Sequence, residues 1–203
     1  MEPSAETISE DKTSMPFTEQ YGQWFFKYRD YTPIPLIVLL LVFAKPSALS
    51  ATVGLSLVTL GELVRIYSVA FIGKISRTRK ESLGGQLVTS GPFAYVRNPL
   101  YVGNFFISFG LALYSGSVGV SALTALMFAV QYYFVVRYEE HLLSKKFGAA
   151  FDEYRASVPP WVPTRFPKPT DIEWPDSFGA ALQSEKRTLT AIAVVILGIL
   201  LVG

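Results

Sequence analysis

The sequence predicts an all-α protein, a polytopic membrane bundle of about five transmembrane helices with a pocket on its cytosolic side. Half of the 203 residues are apolar and 14% are aromatic, against 17% charged. Several apolar runs approach the ~20 residues that cross a hydrocarbon core of roughly 30 Å as a helix. Lysine and arginine gather in some links between these runs and are absent from others, the asymmetry that orients membrane helices.

Composition also narrows the chemistry. A net charge of +2 gives no basic field for nucleic acid. The chain has no cysteine, which removes disulfides, thiolate catalysis and cysteine-type zinc sites, and no residues are assigned to a metal. Residues 1–16, "MEPSAETISEDKTSMP", are acidic and polar, unlike a secretory signal, and are expected to form a mobile cytosolic tail. Residues 17–203 are then one membrane-embedded domain.

The first predicted helix, about residues 28–45, contains an apolar segment that opens with prolines suited to a first helical turn, Pro33 and Pro35, and stops at Lys45-Pro46. Its uninterrupted apolar core is short, so either "WFFKYRDY" extends it or the segment lies tilted or shallow. The second, residues 51–73, reaches full length although Glu62 and Arg65 interrupt it. The third and fourth, residues 100–115 and 118–146, are joined by the small turn Ser115-Gly116-Ser117 and form an antiparallel hairpin. The fifth, residues 188–202, follows Lys186 and Arg187 as interfacial anchors. The link 74–99 carries Lys74, Arg77, Arg79, Lys80 and Arg97 against Glu81 and is expected to be cytosolic, as is a lid segment over 147–187.

Chemistry concentrates at that face. Gly84-Gly85 and Gly91-Pro92 let the backbone bend tightly, and Pro99 suits the start of the third helix, which places Arg97 and Asn98 at a helix N-terminus. Unpaired N–H groups there favour an anion, although Arg97 snorkelling and Asn98 capping explain the same residues. Glu139 and Glu140 follow the apolar part of the fourth helix, where only a cation or a continuing helix with Lys145 and Lys146 relieves their repulsion from the helix dipole. Together these ends suit a zwitterion. Arg65 and Arg137 are the candidate catalytic residues, placed to hold an acceptor's carboxylate or phosphate or to line its path. The single histidine, His141, is a weaker candidate base, because neighbours in sequence point to different sides of a helix. In the lid, Tyr154 and Trp161 are available to pack over a ligand.

From "GELVRIYSVAFIGKISR" through "LVTSGPFAYVRNPLYVG" to "YEEHLLSKKFGAAFDEYRASVPPWVP", the chain resembles the isoprenylcysteine carboxyl methyltransferase and phospholipid methyltransferase group of integral membrane enzymes, its small prokaryotic members above all. The shared features are Arg-(His or Asn)-Pro-x-Tyr-x-Gly and a later Glu-Glu, separated by one helical hairpin. The resemblance implies S-adenosylmethionine as cofactor, bound by Asn98, Pro99, Leu100, Tyr101, Gly103, Glu139 and Glu140, with Gln86, Leu87, Val88 and Phe93 as a further wall. It implies transfer of a methyl group to a lipophilic or lipidated acceptor entering from the bilayer, a carboxylate of isoprenylcysteine type first and a phospholipid amine as the alternative. A sterol-reductase-like enzyme using NADPH and a non-catalytic membrane protein are the remaining classes. Asn98 stands where eukaryotic carboxyl methyltransferases usually have histidine, and asparagine does not titrate, so its role there is binding.

Overall fold

A computed structural model describes residues 17–72, 86–165, 173–175 and 178–203. The expected tail, the charged stretch of the link at 74–81 and Gly84-Gly85 lie outside the described residues, as does part of the lid. Among the described residues there are seven α-helices and no strand. They are α1 (Phe17–Tyr28), α2 (Pro33–Val42), α3 (Ala48–Ile72), α4 (Pro99–Tyr114), α5 (Val118–Phe147), α6 (Ala149–Ser157) and α7 (Phe178–Val202), with a 3-10 turn at Gly91–Ala94 before α4.

The helix expected over 28–45 is two helices. Pro33 has no N–H to give to the Arg29 carbonyl, so the ladder stops there. The Thr32 hydroxyl donates to that carbonyl instead, at 3.1 Å. "WFFKY" belongs to α1, whose aromatic face packs on α5: Phe25 stacks on Phe134 at 5.7 Å and Phe26 meets Tyr138 at 5.8 Å. The break at 29–32 separates α1, packed on α5, from α2, which packs on α7 as well.

α3 and α4 run antiparallel and touch backbone to backbone. A Cβ on Gly61 would meet the Gly103 carbonyl at 2.6 Å, and one on Gly110 would meet that of Gly54 at 2.7 Å. Small residues at such crossings are the usual device of helices packed in lipid. A Cβ at Gly103 would also stand 2.6 Å from Cγ of Arg65. Gly103→Val is therefore expected to lower stability by about 1–3 kcal/mol through overpacking, read as the thermal midpoint of the detergent-solubilised protein.

Beyond α4, the turn is fixed at both ends. Ser115 accepts a 2.7 Å backbone bond from Lys45, Gly116 takes a φ of 78° against the Lys45 carbonyl, and the Ser117 hydroxyl caps α5 through Val120. At this end a core forms where Leu40, Val58, Ile107, Leu111, Val120 and Ile199 meet. α5 continues past the acidic pair to Phe147, with Lys145 and Lys146 in its last turn, so the dipole conflict is relieved within the helix. The last helix starts at Phe178, ten residues before the predicted 188, because Glu185 is buried in the bundle rather than left at an interface.

α3 and α5 are long and apolar enough to cross a membrane, and less than a third of either apolar stretch is buried by the rest of the chain. Leu60, Leu63, Leu126, Val194 and Leu200 face outward. A belt of that kind is what a bilayer covers.

Candidate functional site

A cavity of about 490 Å³ opens between the α1–α2 break, the N-terminus of α4, the second half of α5 and α7. That volume falls among small-molecule sites, which run from roughly 300 to 1,000 Å³.

One wall is the approach to α4. Gly91 has a φ of 56°, and a Cβ there would strike the Phe71 ring at 2.5 Å, so glycine is required for the turn that sends Phe93 into the cavity. Asn98 is the N-cap residue of α4, yet its side chain does not cap the helix; Nδ2 donates to the Pro160 carbonyl at 3.1 Å. The Arg97 backbone donates to Pro159 at 2.9 Å, and its guanidinium reaches Glu140 at 2.6 Å and the carbonyls of Arg155 and Val158. Tyr154 donates to the Phe93 carbonyl at 2.7 Å. Burial pushes this phenol well above its ordinary range, against a smaller opposing effect of Arg97, so it stays protonated as a donor. α6 and the prolines after it are thus stitched to the α4 motif by polar bonds.

A second wall is α5. Glu139 accepts a hydrogen bond from the Tyr101 hydroxyl at 2.8 Å and faces Arg29 at 3.8 Å. The third wall lies between α3, α4 and α7. Arg65 donates to the fully buried Glu185 at 2.7 and 3.2 Å and to Asn104 and Thr188, with Glu62 at 3.9 Å. Asn104 donates to Tyr132 at 3.4 Å, and the Tyr132 ring lies 4.6 Å from that of Tyr101. A polar chain therefore runs from α7 to α5 through the bundle.

Of the sequence-predicted residues, Arg65, Phe93, Asn98, Pro99, Leu100, Tyr101 and Glu139 border this cavity. Gln86, Leu87, Val88, Gly103, Glu140 and Arg137 do not. Gly103 serves the contact with α3, and Glu140 is held by Arg97. Arg137 is exposed, 5.6 Å from the Tyr133 ring, on a different side of α5 from Glu139. His141 pairs with Glu19 of α1 at 3.1 Å. Sequence reasoning missed Arg29, Asp30, Asn104, Tyr132, Glu185 and Thr188, all of which border the cavity. Asn104 carried a signal, as an amide inside an apolar run. Beside the cavity is an apolar recess of about 460 Å³, lined by Val102, Phe105, Phe128, Trp161 and Val162 and sharing Tyr132 with it.

Comparison with known proteins covers the middle of the chain. The family model for phospholipid methyltransferases matches residues 49–150. The chain is 38% identical over 117 residues to the nickel-cobalt-cadmium resistance protein NccN of Alcaligenes xylosoxydans xylosoxydans, across 58% of this chain and 51% of that protein. It is 36% identical over 118 residues to the cobalt-zinc-cadmium resistance protein CzcN of Cupriavidus metallidurans, across 58% and 50%. To the protein-S-isoprenylcysteine O-methyltransferase of Schizosaccharomyces pombe it is 28% identical over 148 residues, across 70% and 60%. The matches to the two resistance proteins span about half of their length. No solved structure matches significantly.

Proposed function

The chain belongs to the phospholipid methyltransferase family, and from that premise we propose that it is an S-adenosylmethionine-dependent methyltransferase working at the membrane on a lipophilic acceptor. The observation that carries this reading is the 2.8 Å bond from Tyr101 to Glu139, which ties the α4 motif to the α5 acid at the rim of one cavity.

The donor set suits the cofactor. Glu139 supplies a carboxylate for a cationic or hydroxyl-bearing ligand, the α4 N-terminus offers positive partial charge, and Phe93, Leu100 and Tyr101 offer apolar surface for a nucleoside. When bound, S-adenosylmethionine supplies an electrophilic methyl on its sulfonium. The chain's own work is to hold two reactants in line and keep water out, which is worth about 7–11 kcal/mol in favourable cases. Asn98 and Arg97 anchor the segment after α6 over one side, and Tyr154 locks it to the turn at Phe93. The apolar recess beyond Tyr132 supports a lipophilic acceptor reaching the cavity from the bilayer. We orient the cavity to the cytosol, from the basic link and the uncharged Ser-Gly-Ser turn.

For the acceptor we favour a carboxylate, as the name of the fission-yeast relative indicates for that protein. A carboxylate is ionised at neutral pH and needs no base, and the sole histidine is engaged by Glu19. A phospholipid amine is the second reading, favoured by Asp30 and Glu139, which offer carboxylates to take its proton. The metal-resistance names of two relatives bring no ligand set to this chain: among the described residues no three His, Asp or Glu side chains gather.

Calorimetry on the solubilised protein is expected to show binding of S-adenosylhomocysteine, weakened about tenfold by Asn98→Ala through loss of the bond to Pro160. Labelled methyl transfer into a lipid extract of the source cells then identifies the acceptor. Neither heat nor thermal shift with S-adenosylhomocysteine would overturn the reading, and binding of NADPH instead would replace it with a reductase.

A further inference from the structure

Three arginines border or adjoin the cavity, and two are fully engaged. Arg65 spends its donors on Glu185, Asn104 and Thr188. Arg97 spends its own on Glu140 and on two main-chain carbonyls. Arg29 is different. Its guanidinium stands 3.8 Å from Glu139 and 3.9 Å from Asp30, beyond the roughly 2.7–2.9 Å of a charge-assisted hydrogen bond. Among the described residues no hydrogen bond reaches it, although its side chain is only 24% exposed. The nearer acid also accepts a hydrogen bond from the Tyr101 hydroxyl on the oxygen that faces Arg29.

What does hold Arg29 leaves its donors available. The guanidinium lies 4.1 Å from the centre of the Phe26 ring, an attraction to the ring's face that uses no N–H. Its backbone is fixed separately, because Thr32 donates to the Arg29 carbonyl at the break between α1 and α2. The result is an oriented, half-buried fork of five N–H groups at the cavity wall. That geometry matches the two oxygens of a carboxylate or phosphate.

We propose that Arg29 is the anion-recognition residue of this cavity, gripping an oxyanion of the ligand set through its unused donors. The oxyanion is either the carboxylate of the cofactor or the acidic group of the acceptor. This rests on the methyltransferase reading above, and the test separates the two.

Full-length wild type, Arg29→Gln and Arg29→Lys, purified in detergent, are titrated with S-adenosylhomocysteine and with methylthioadenosine, which lacks the amino-acid end. Acceptor KM is measured in the methyl-transfer assay. If the anion is the cofactor's, Arg29→Gln weakens S-adenosylhomocysteine about 10- to 100-fold and leaves methylthioadenosine unchanged, with partial recovery in Arg29→Lys. If the anion is the acceptor's, both nucleosides bind as before and acceptor KM rises at least about tenfold. Unchanged behaviour in all three measurements overturns the proposal, and so does an equal loss for both nucleosides with a lowered thermal midpoint, the mark of a structural role. Wild type binding neither nucleoside would instead remove the methyltransferase reading, and this inference with it.

Discussion

Arg65→Ala is expected to destabilise the solubilised protein by about 3–5 kcal/mol, seen as a fall in thermal midpoint on the order of 10 °C. The cause is the charge it leaves behind. Glu185 is fully buried and Glu62 is 6% exposed, and both lie within 4.0 Å of this one guanidinium. Without it, two carboxylates in a low-dielectric interior lose a guanidinium that lies close to both. Asn104 also loses its donor partner, so the wall towards Tyr132 loosens. Glu185→Gln is the milder companion, since an amide oxygen still accepts from Arg65 without bringing a charge. Arg137→Ala, on an exposed face of the same bundle, is expected to change stability by no more than about 0.5 kcal/mol. Equal midpoints for Arg65→Ala and Arg137→Ala would show that the cluster is solvated rather than buried.

Glu139→Gln is expected to weaken S-adenosylhomocysteine about 10- to 100-fold with little change in stability. The amide keeps the volume of the acid and still accepts a hydrogen bond from the Tyr101 hydroxyl, so the α4–α5 tie survives while the charge is lost. Its neighbour should behave in the opposite way. Glu140 holds Arg97 at 2.6 Å, and Arg97 in turn holds the chain after α6. Glu140→Gln therefore lowers the thermal midpoint, by about 1–3 kcal/mol in free energy, and affects the ligand only through the displaced segment. Calorimetry paired with thermal unfolding on both variants separates the two acids. The same loss of affinity in both would contradict the separation.

The hairpin was legible because two apolar runs flank an uncharged small-residue turn, and its geometry alone returns α5 to the level of Asn98. The break inside the first predicted helix was hidden because a helix and a helix-turn-helix share the same apolar window. Only Pro33, by withholding a donor from the Arg29 carbonyl, distinguishes them. Glu185, just before the anchors Lys186 and Arg187, was passed over, since its burial depends on a partner in α3 that no local pattern reveals. For Arg137 the sequence did hold a warning: residues two apart on a helix do not share a face, so Arg137 and Glu139 could not both point inward. Asn98 was correctly placed at the start of a helix, but its side chain serves the returning chain instead of the cap. Tertiary partners, which periodicity cannot supply, decided each of these cases.

The contact between Arg65 and Glu185 joins groups 120 residues apart, so α3 is translated well before the helix it pairs with. α3 enters the bilayer carrying Glu62 one turn from Arg65, so its charges offset each other locally from the start. α7 follows much later, carrying an acid that is gripped by the α3 guanidinium. By then the guanidinium is already in place, so packing α7 matches a charge laid down long before it.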